Sequence, residues 1–262
     1  MADALPVLFV SHGAPTLVME EIPARDFMAG LAGHLPRPRA ILSVSAHWLA
    51  RVPTVSRAQR PETIHDFYGF PDALYRLDYP APGAPALADR VTALLGEAGL
   101  PAAADPTHGL DHGAWNPLLL IYPAADIPVA QLSLVAGAGP QEHVALGRAL
   151  APLRGEGVLI LASGGAVHNL GQFRVDRHRP ADWAVSFEAF LADGVAAGDV
   201  AGLAAYRSRP DGRLAHPTDE HLLPLFVALG AAAGDPGQAM HRSFAHGSLS
   251  MASFGWGLPQ AA

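Results

Sequence analysis

Three apolar runs of this chain end in the same way. Leu5–Val10 (LPVLFV) leads into Ser11-His12-Gly13, Ala40–Val44 (AILSV) into Ser45-Ala46-His47-Trp48, and Gly157–Ala162 (GVLILA) into Ser163-Gly164-Gly165-Ala166-Val167-His168. Short unbroken apolar runs bounded by turn residues suit strands buried on both faces, as in a parallel sheet covered by helices. Each run then delivers a histidine past its carboxyl end, the edge of an open α/β sheet where ligands bind. Three imidazoles at one edge point to a metal centre. Taken singly, each histidine has a plainer reading as a loop residue bonded to backbone. The recurrence of the pattern favours the shared site.

The rest of the chain alternates in the same sense. Helical spacing marks Ala24–His34, Pro85–Gly99, Gln141–Leu153, Arg179–Ala197 and Pro217–Ala233, and a helix is expected from Pro117. Further strands are expected at Val52–Ser56, Ala102–Asp105 and Asp126–Leu134, with a terminal pair at Met240–Phe244 and Ser248–Phe254. Alternating β and α elements imply an α/β fold, a mostly parallel or mixed sheet with helices on both faces. No repeat or low-complexity linker divides it, so residues 1–262 are expected to form one catalytic domain.

Composition removes several chemistries. The chain has 262 residues, 50% of them hydrophobic, and a formal net charge of −7. Without a basic cluster it has no footprint for nucleic acid or an anionic membrane surface. No apolar run is long enough for a membrane span. No signal-peptide pattern is seen at the start, so a cytoplasmic location is expected. Cysteine is absent and every one of the 17 basic residues is arginine. That excludes disulfides, thiolate nucleophiles, iron–sulfur clusters, Schiff-base lysines and the P-loop lysine. There is no G-x-G-x-x-G fingerprint, G-x-S-x-G elbow or H-E-x-x-H helix. What remains is 13 histidines with carboxylates, hydroxyls and arginines.

Three more segments carry candidates. His216-Pro217-Thr218-Asp219-Glu220-His221 looks like a helix start, with Pro217 at the first position and acids at the positive end of the dipole. That explains everything except His221, which runs into the apolar stretch Leu222-Leu223-Pro224-Leu225. Pro224 is expected to kink the helix there. His108-Gly109-Leu110-Asp111-His112-Gly113-Ala114-Trp115 is a glycine-rich loop, either a turn with exposed imidazoles or a substrate contact. Ile64-His65-Asp66-Phe67-Tyr68-Gly69-Phe70-Pro71 is an aromatic loop, either a plug over the sheet or a wall of an aromatic pocket. His34, His143, His178 and His241 are expected at the surface.

Taken together, Ser11-His12-Gly13-Ala14-Pro15, Ser45-Ala46-His47-Trp48, Thr63–Pro71, Tyr79-Pro80-Ala81-Pro82-Gly83, Asp111–Trp115, Val167-His168-Asn169-Leu170 and Pro217–His221 resemble the 4,5-DOPA extradiol dioxygenases of the class III, LigB-like group. The resemblance runs from about residue 5 to residue 254. It implies an α/β fold, a non-haem metal centre and cleavage of a catechol ring beside the diol, with both atoms of O₂ incorporated. It implies His12, His47 and His221 as metal ligands, with His168 either a fourth ligand or an acid/base beside the metal. His112 would face the substrate as a second acid/base. Glu220 is the rival for the third ligand position, and the branch motif assigns it to His221. His65, Phe67, Tyr68 and Trp115 are expected around the ring. Fe(II) is expected for activity, and Zn(II) fits the same ligands. The partners are a small aromatic diol and O₂, and a homo-oligomer is compatible with the sequence. Two other readings use the same histidines: a zinc hydrolase, and a metal-binding protein without turnover.

Overall fold

Alternate residues of a strand go to opposite sides of its sheet. In the computed structural model, which describes residues 4–174 and 179–259, Val7 and Phe9 join one apolar cluster and Leu8 and Val10 another. Leu42 and Val44 go with the first, Ile41 with the second, and Val158–Ala162 divides in the same way. Both clusters are buried, so each face of the sheet carries a helical layer.

In chain order the elements are β1 (Val7–Ser11), α1 (Pro23–Leu31), β2 (Ala40–Ala50), β3 (Thr54–Ser56), α2 (Pro85–Glu97), β4 (Ala103–Asp105), α3 (His112–Ile121), β5 (Val129–Val135), α4 (Pro140–Leu150), α5 (Pro152–Gly155), β6 (Val158–Gly164), α6 (Asp182–Ala197), α7 (Val200–Ala204), α8 (Pro210–Ala215), α9 (Leu223–Ala231), β7 (Gly237–His241), β8 (Phe244–Ala245), β9 (Leu249–Ser250) and β10 (Ser253–Trp256). Eight strands form a mixed sheet in the order β4-β3-β5-β2-β6-β1-β10-β7. Its centre, β5-β2-β6-β1, is parallel. β10 and β7 are antiparallel at one side, and β3 meets β5 antiparallel at the other. β8 and β9 form a separate hairpin. Helices α1 and α3 cover the Leu8 face, and α2, α4, α6 and α9 the Phe9 face. No helix among the described residues is long and apolar enough to cross a membrane.

Four expectations need correction. First, β2 does not stop at Val44. It pairs Val44 with Leu132 and resumes at Leu49 opposite Leu134, so Ser45–Trp48 arch out of register beside Ser133. His47 sits in that arch and not past the strand. Second, α3 begins at His112, five residues before Pro117, because the Asp111 side chain caps it by accepting the Ala114 amide. Pro117 is accommodated inside the helix at the loss of one backbone bond. Third, α9 begins at Leu223, with Pro224 in its first turn. Proline has no N–H to give the preceding turn, and the Leu222 and Leu223 amides go to the Asp219 carbonyl. Residues 217–222 are therefore a turn, and His221 lies in it. Fourth, His143 is fully buried. Its Nδ1 lies 2.7 Å from the Gly139 carbonyl, and its Nε2 accepts the Val135 amide at 3.2 Å, which fastens the start of α4 to the end of β5. His34 is exposed as expected, His241 is half-buried against Phe27, and His178 lies outside the described residues.

Helices α4 and α9 cross with almost nothing between them. A Cβ at Gly147 would stand 2.0 Å from the Val227 carbonyl oxygen, and one at Gly230 would stand 2.1 Å from that of Val144. Gly147→Ala must push the helices apart and should destabilise the protein by about 1–3 kcal/mol. Urea denaturation reads this directly, and an unchanged midpoint would contradict the close crossing.

Candidate metal centre and substrate cavity

Four imidazoles meet above the carboxyl ends of β1, β2 and β6, and they come from both layers of the fold. His12 follows β1 directly, and His47 is in the arch of β2. His112 is the first residue of α3 on one face of the sheet; His221 comes from the turn before α9 on the other. The His12 ring centroid is 4.9 Å from that of His47, 5.4 Å from His112 and 5.5 Å from His221. One nitrogen each from His12, His47 and His221 can be placed within 4.8 Å of one another.

An oxygen stands within hydrogen-bond distance of Nδ1 in His12, His112 and His221, and a more distant one lies beside His47. Ser163 Oγ stands 2.9 Å from His12 Nδ1, and Glu220 Oε1 stands 3.1 Å from His221 Nδ1. Asp66 Oδ2 is 2.9 Å from His112 Nδ1 and 3.5 Å from His47 Nδ1, while its Oδ1 accepts the His112 amide. Nδ1–H directed at an oxygen leaves Nε2 with a bare lone pair. The Nε2 atoms of His12 and His47 face each other at 3.0 Å. With one ring protonated at Nε2 this is a hydrogen bond, and with both protonated at Nδ1 the two bare lone pairs are placed to share a cation, so the donor set fits a metal ion.

The electrostatics agree. Burial, then the neighbouring imidazoles, hold His12 well below the usual histidine range, and the same causes pull His47 down to about 2. Burial also lowers His221 against the opposing pull of Glu220. Neutral imidazoles are the form that binds a metal. Around them stand ionised carboxylates. Burial works to raise Asp66, but the hydrogen bonds and charge of His112 prevail and bring it to about 2; the hydrogen bond from His221 brings Glu220 to about 2 as well.

His168 is placed differently. Its ring lies parallel to that of His221, 3.4 Å away with 6° between the planes. A metal sits in the plane of each ring that binds it, so a position shared by these two rings would require them to tilt apart, although one ligand atom each from His168, Glu220 and His221 lies within 4.8 Å of the others. The His168 segment is pinned from behind: its amide donates to the Ala215 carbonyl at 3.0 Å, and Asn169 Nδ2 to that of Leu214 at 2.6 Å. Burial, then His221 and His216, lower His168 to about 3.

A buried carboxylate holds the His47 arch against the start of α3. Asp111 Oδ1 accepts the Ser45 hydroxyl at 2.6 Å and the Ala114 amide at 3.2 Å, and Oδ2 accepts from Gln131 Nε2. Ser45 Oγ in turn accepts the His47 amide at 3.1 Å. A Cβ at Gly113 would meet Ser45 Oγ at 2.3 Å, so only glycine fits between the two elements. Burial pushes Asp111 up to about 6 despite these bonds.

His47, His112, His168 and His221 line a cavity of about 330 Å³. Phe67, Phe70, Leu170, Phe173 and Leu249 form its apolar walls, and Thr16 and His246 add polar side chains. Among the expected ring contacts, Phe67 lines this cavity. Tyr68 points to solvent, 91% exposed. Trp115 is fully buried, its indole N–H donating to the Ile64 carbonyl at 2.9 Å. His65 bonds the Leu77 carbonyl and faces a separate surface groove. His108 stacks flat on Trp48. Asp66, Ser163 and Phe173 carried no site signal in the sequence, since their roles depend on which nitrogen or cavity they reach in space.

Known proteins resemble the chain over nearly its whole length. A sequence model of the family described as the catalytic LigB subunit of aromatic ring-opening dioxygenase matches residues 7–256. The chain belongs to this family of ring-opening dioxygenases, whose members are metal-dependent enzymes. Within it, the chain is 43% identical over 254 residues to a 4,5-DOPA dioxygenase extradiol of Portulaca grandiflora, covering 94% of this chain and 93% of that one. It is also 43% identical over 255 residues to a protein of the same name from Escherichia coli, covering 95% and 93%. A crystal structure of an uncharacterized Escherichia coli K12 protein superposes with a TM-score of 0.82 at 38% identity, covering 96% of this chain and 99% of that one.

The Asp111 brace can be tested apart from turnover. Asp111→Asn turns one acceptor into a donor facing the Gln131 amide and should cost about 1–3 kcal/mol. The sign with pH follows from the raised value. The folded wild type binds a proton that the unfolded chain does not between about 6 and roughly 4. Wild-type stability relative to the Asn variant therefore rises as pH falls from 7.5 to 5. Urea titrations at both pH values check this; a difference independent of pH would show that Asp111 is not held in its buried, raised state.

Proposed function

We propose that the chain is a single-domain extradiol dioxygenase that opens the ring of a small catechol, with His12, His47 and His221 holding Fe(II). The observation that carries this is the set of neutral imidazoles, each with an oxygen on its Nδ1 side and Nε2 left for a common place on the wall of an apolar cavity. Imidazole ligands suit Fe(II) and Zn(II) alike. Fe(II) is preferred because Zn(II) has no redox chemistry to offer O₂. When bound, the ion supplies a Lewis-acid and redox-active centre with open positions for the diol and O₂.

The chain's own groups do the rest. Phe67, Phe70 and Phe173 hold the aromatic ring edge or face on and keep water out. Asp66 orients His112 through Nδ1, the arrangement of a base fixed by a carboxylate. His168 stands on the cavity wall as a neutral imidazole, free to take a proton from a catechol hydroxyl and to return it as the ring opens. Stacking on His221 and the bonds to Leu214 and Ala215 fix where that proton is held. The overall change balances without an outside reductant: one catechol and one O₂ give one ring-opened acid aldehyde containing both oxygen atoms.

Oxygen-electrode measurements on the Fe(II)-reconstituted protein test this with a panel including 4-methylcatechol, caffeate and DOPA. One O₂ consumed per diol, with a yellow semialdehyde product, is the expected result; no uptake across the panel would falsify the reading. Two variants separate the histidines. His47→Ala should lose bound metal, measured by elemental analysis. His168→Ala should keep the metal and lose about 10²–10⁴-fold in turnover. Equal metal loss in both would make His168 a ligand.

A further inference from the structure

Behind the metal centre lies a histidine that the chemistry above does not use. His216 follows α8 directly and is fully buried. Its ring stands in an aromatic slot, edge to face with Phe187 of α6 at 5.6 Å between centroids and with Tyr206, between α7 and α8, at 6.0 Å. Its Nε2 lies 3.0 Å from the Ala166 carbonyl oxygen. A carbonyl oxygen only accepts, so Nε2 carries the hydrogen and donates it. Nδ1 is buried and, among the described residues, has no partner.

A buried polar atom without a partner is costly and calls for a reason. Packing is not that reason, since a phenyl ring would fill the slot between Phe187 and Tyr206 without the orphaned nitrogen. What a phenyl ring could not supply is the N–H for Ala166.

Ala166 belongs to the segment that carries His168. This segment runs from the end of β6 to Asn169, and the chain from Leu214 to His221 runs beside it. The Gly165 amide donates to the His221 carbonyl at 2.9 Å, and a Cβ at Gly164 would stand 2.1 Å from that same oxygen. The His168 amide and Asn169 Nδ2 donate to the Ala215 and Leu214 carbonyls. Each of these bonds runs from the His168 segment to the neighbouring main chain. Among the described residues, His216 is the side chain that donates in the reverse direction. On its other side the Ala166 amide donates to Ser11 Oγ at 3.0 Å. Ala166 is thus held at both its N–H and its carbonyl, two residues before the ring that stacks on His221.

We propose that His216 is a positioning residue for His168: its Nε2–H, held on the Ala166 carbonyl, keeps the His168 ring in its stack on His221 at the cavity wall. The reaction this serves rests on the ring-cleavage reading above, and the placement itself can be measured without turnover.

Two variants test it. His216→Phe keeps a flat ring and removes the donor; His216→Gln replaces the ring with an amide whose N–H reaches the Nε2 position. With the Fe(II)-reconstituted protein and the fastest diol of the panel, kcat of His216→Phe should fall about 10–100-fold, the scale of a small misplacement of a reacting group. KM should stay within about twofold, as when only a transition-state interaction is lost, and metal content should match the wild type. His216→Gln should recover most of kcat. Placement is read on the Zn(II)-loaded protein, whose filled d shell leaves proton NMR undisturbed. The carbon-bound ring protons of His168 lie over the His221 ring and are shifted upfield by it. That shift should persist in His216→Gln and collapse in His216→Phe. Wild-type kcat or an unmoved His168 signal in His216→Phe overturns the assignment, and so does a His216→Gln variant that fails to restore them. If His216→Phe does not fold, His216→Gln decides alone: it shares only the N–H with the imidazole, so retention of kcat and of the shift supports the assignment and loss of either overturns it. A wild type that opens no diol removes the ring-cleavage reading, and the His168 shift still decides what His216 does.

Discussion

The geometry of the site hangs on a buried carboxylate. Asp111 caps α3, receives Ser45 from the β2 arch and is gripped by Gln131 from β5. The cap determines where α3 starts, and so where His112 stands. The Ser45 bond determines how the arch is folded, and so where His47 stands. A charge without partners in this position would be very expensive. With three donors it becomes a fixed joint between strand and helix, still strained enough that burial raises its proton affinity.

Around that joint the fold assembles histidines from every layer. A sheet alone could supply His12 and His47 but nothing facing them. The helical layers close the set, His112 from the Leu8 side and His221 from the Phe9 side. The burial that lowers His12, His47 and His221 favours their neutral form, whose lone pairs are available. The carboxylates Asp66 and Glu220 stand on the Nδ1 side of His112 and His221.

Much of this could be read from the chain. Buried parallel strands leave continuous apolar runs, so β1, β6 and the first half of β2 were plain, as were His12 and His47. His221 was marked by an imidazole entering an apolar stretch that helix capping did not explain. Two helix starts differ from expectation for one reason: the sequence offers proline as the opening residue at 117 and 217, and the structure does not use it. The Asp111 side chain opens α3 earlier, and Pro224 delays α9. Trp115 and Tyr68 belong to aromatic motifs that suggest a pocket, but periodicity does not show which rings face inward. The Nδ1 partners were hidden because Ser163 and His12 are 151 residues apart along the chain.

The glycine contact between α4 and α9 has a consequence for how the protein tolerates drift. A joint made of main chain has no adjustable part. Side chains elsewhere in the core can be exchanged, and the elements they separate shift by fractions of an ångström. Between Gly147 and Gly230 there is no side chain to exchange. Helix α4 is fastened to β5 through His143, β5 pairs with the strand bearing His47, and α9 follows the turn bearing His221. Helix α4 therefore works as a gauge block: it transfers a fixed length from one side of the metal centre to the other, whatever the surrounding core becomes.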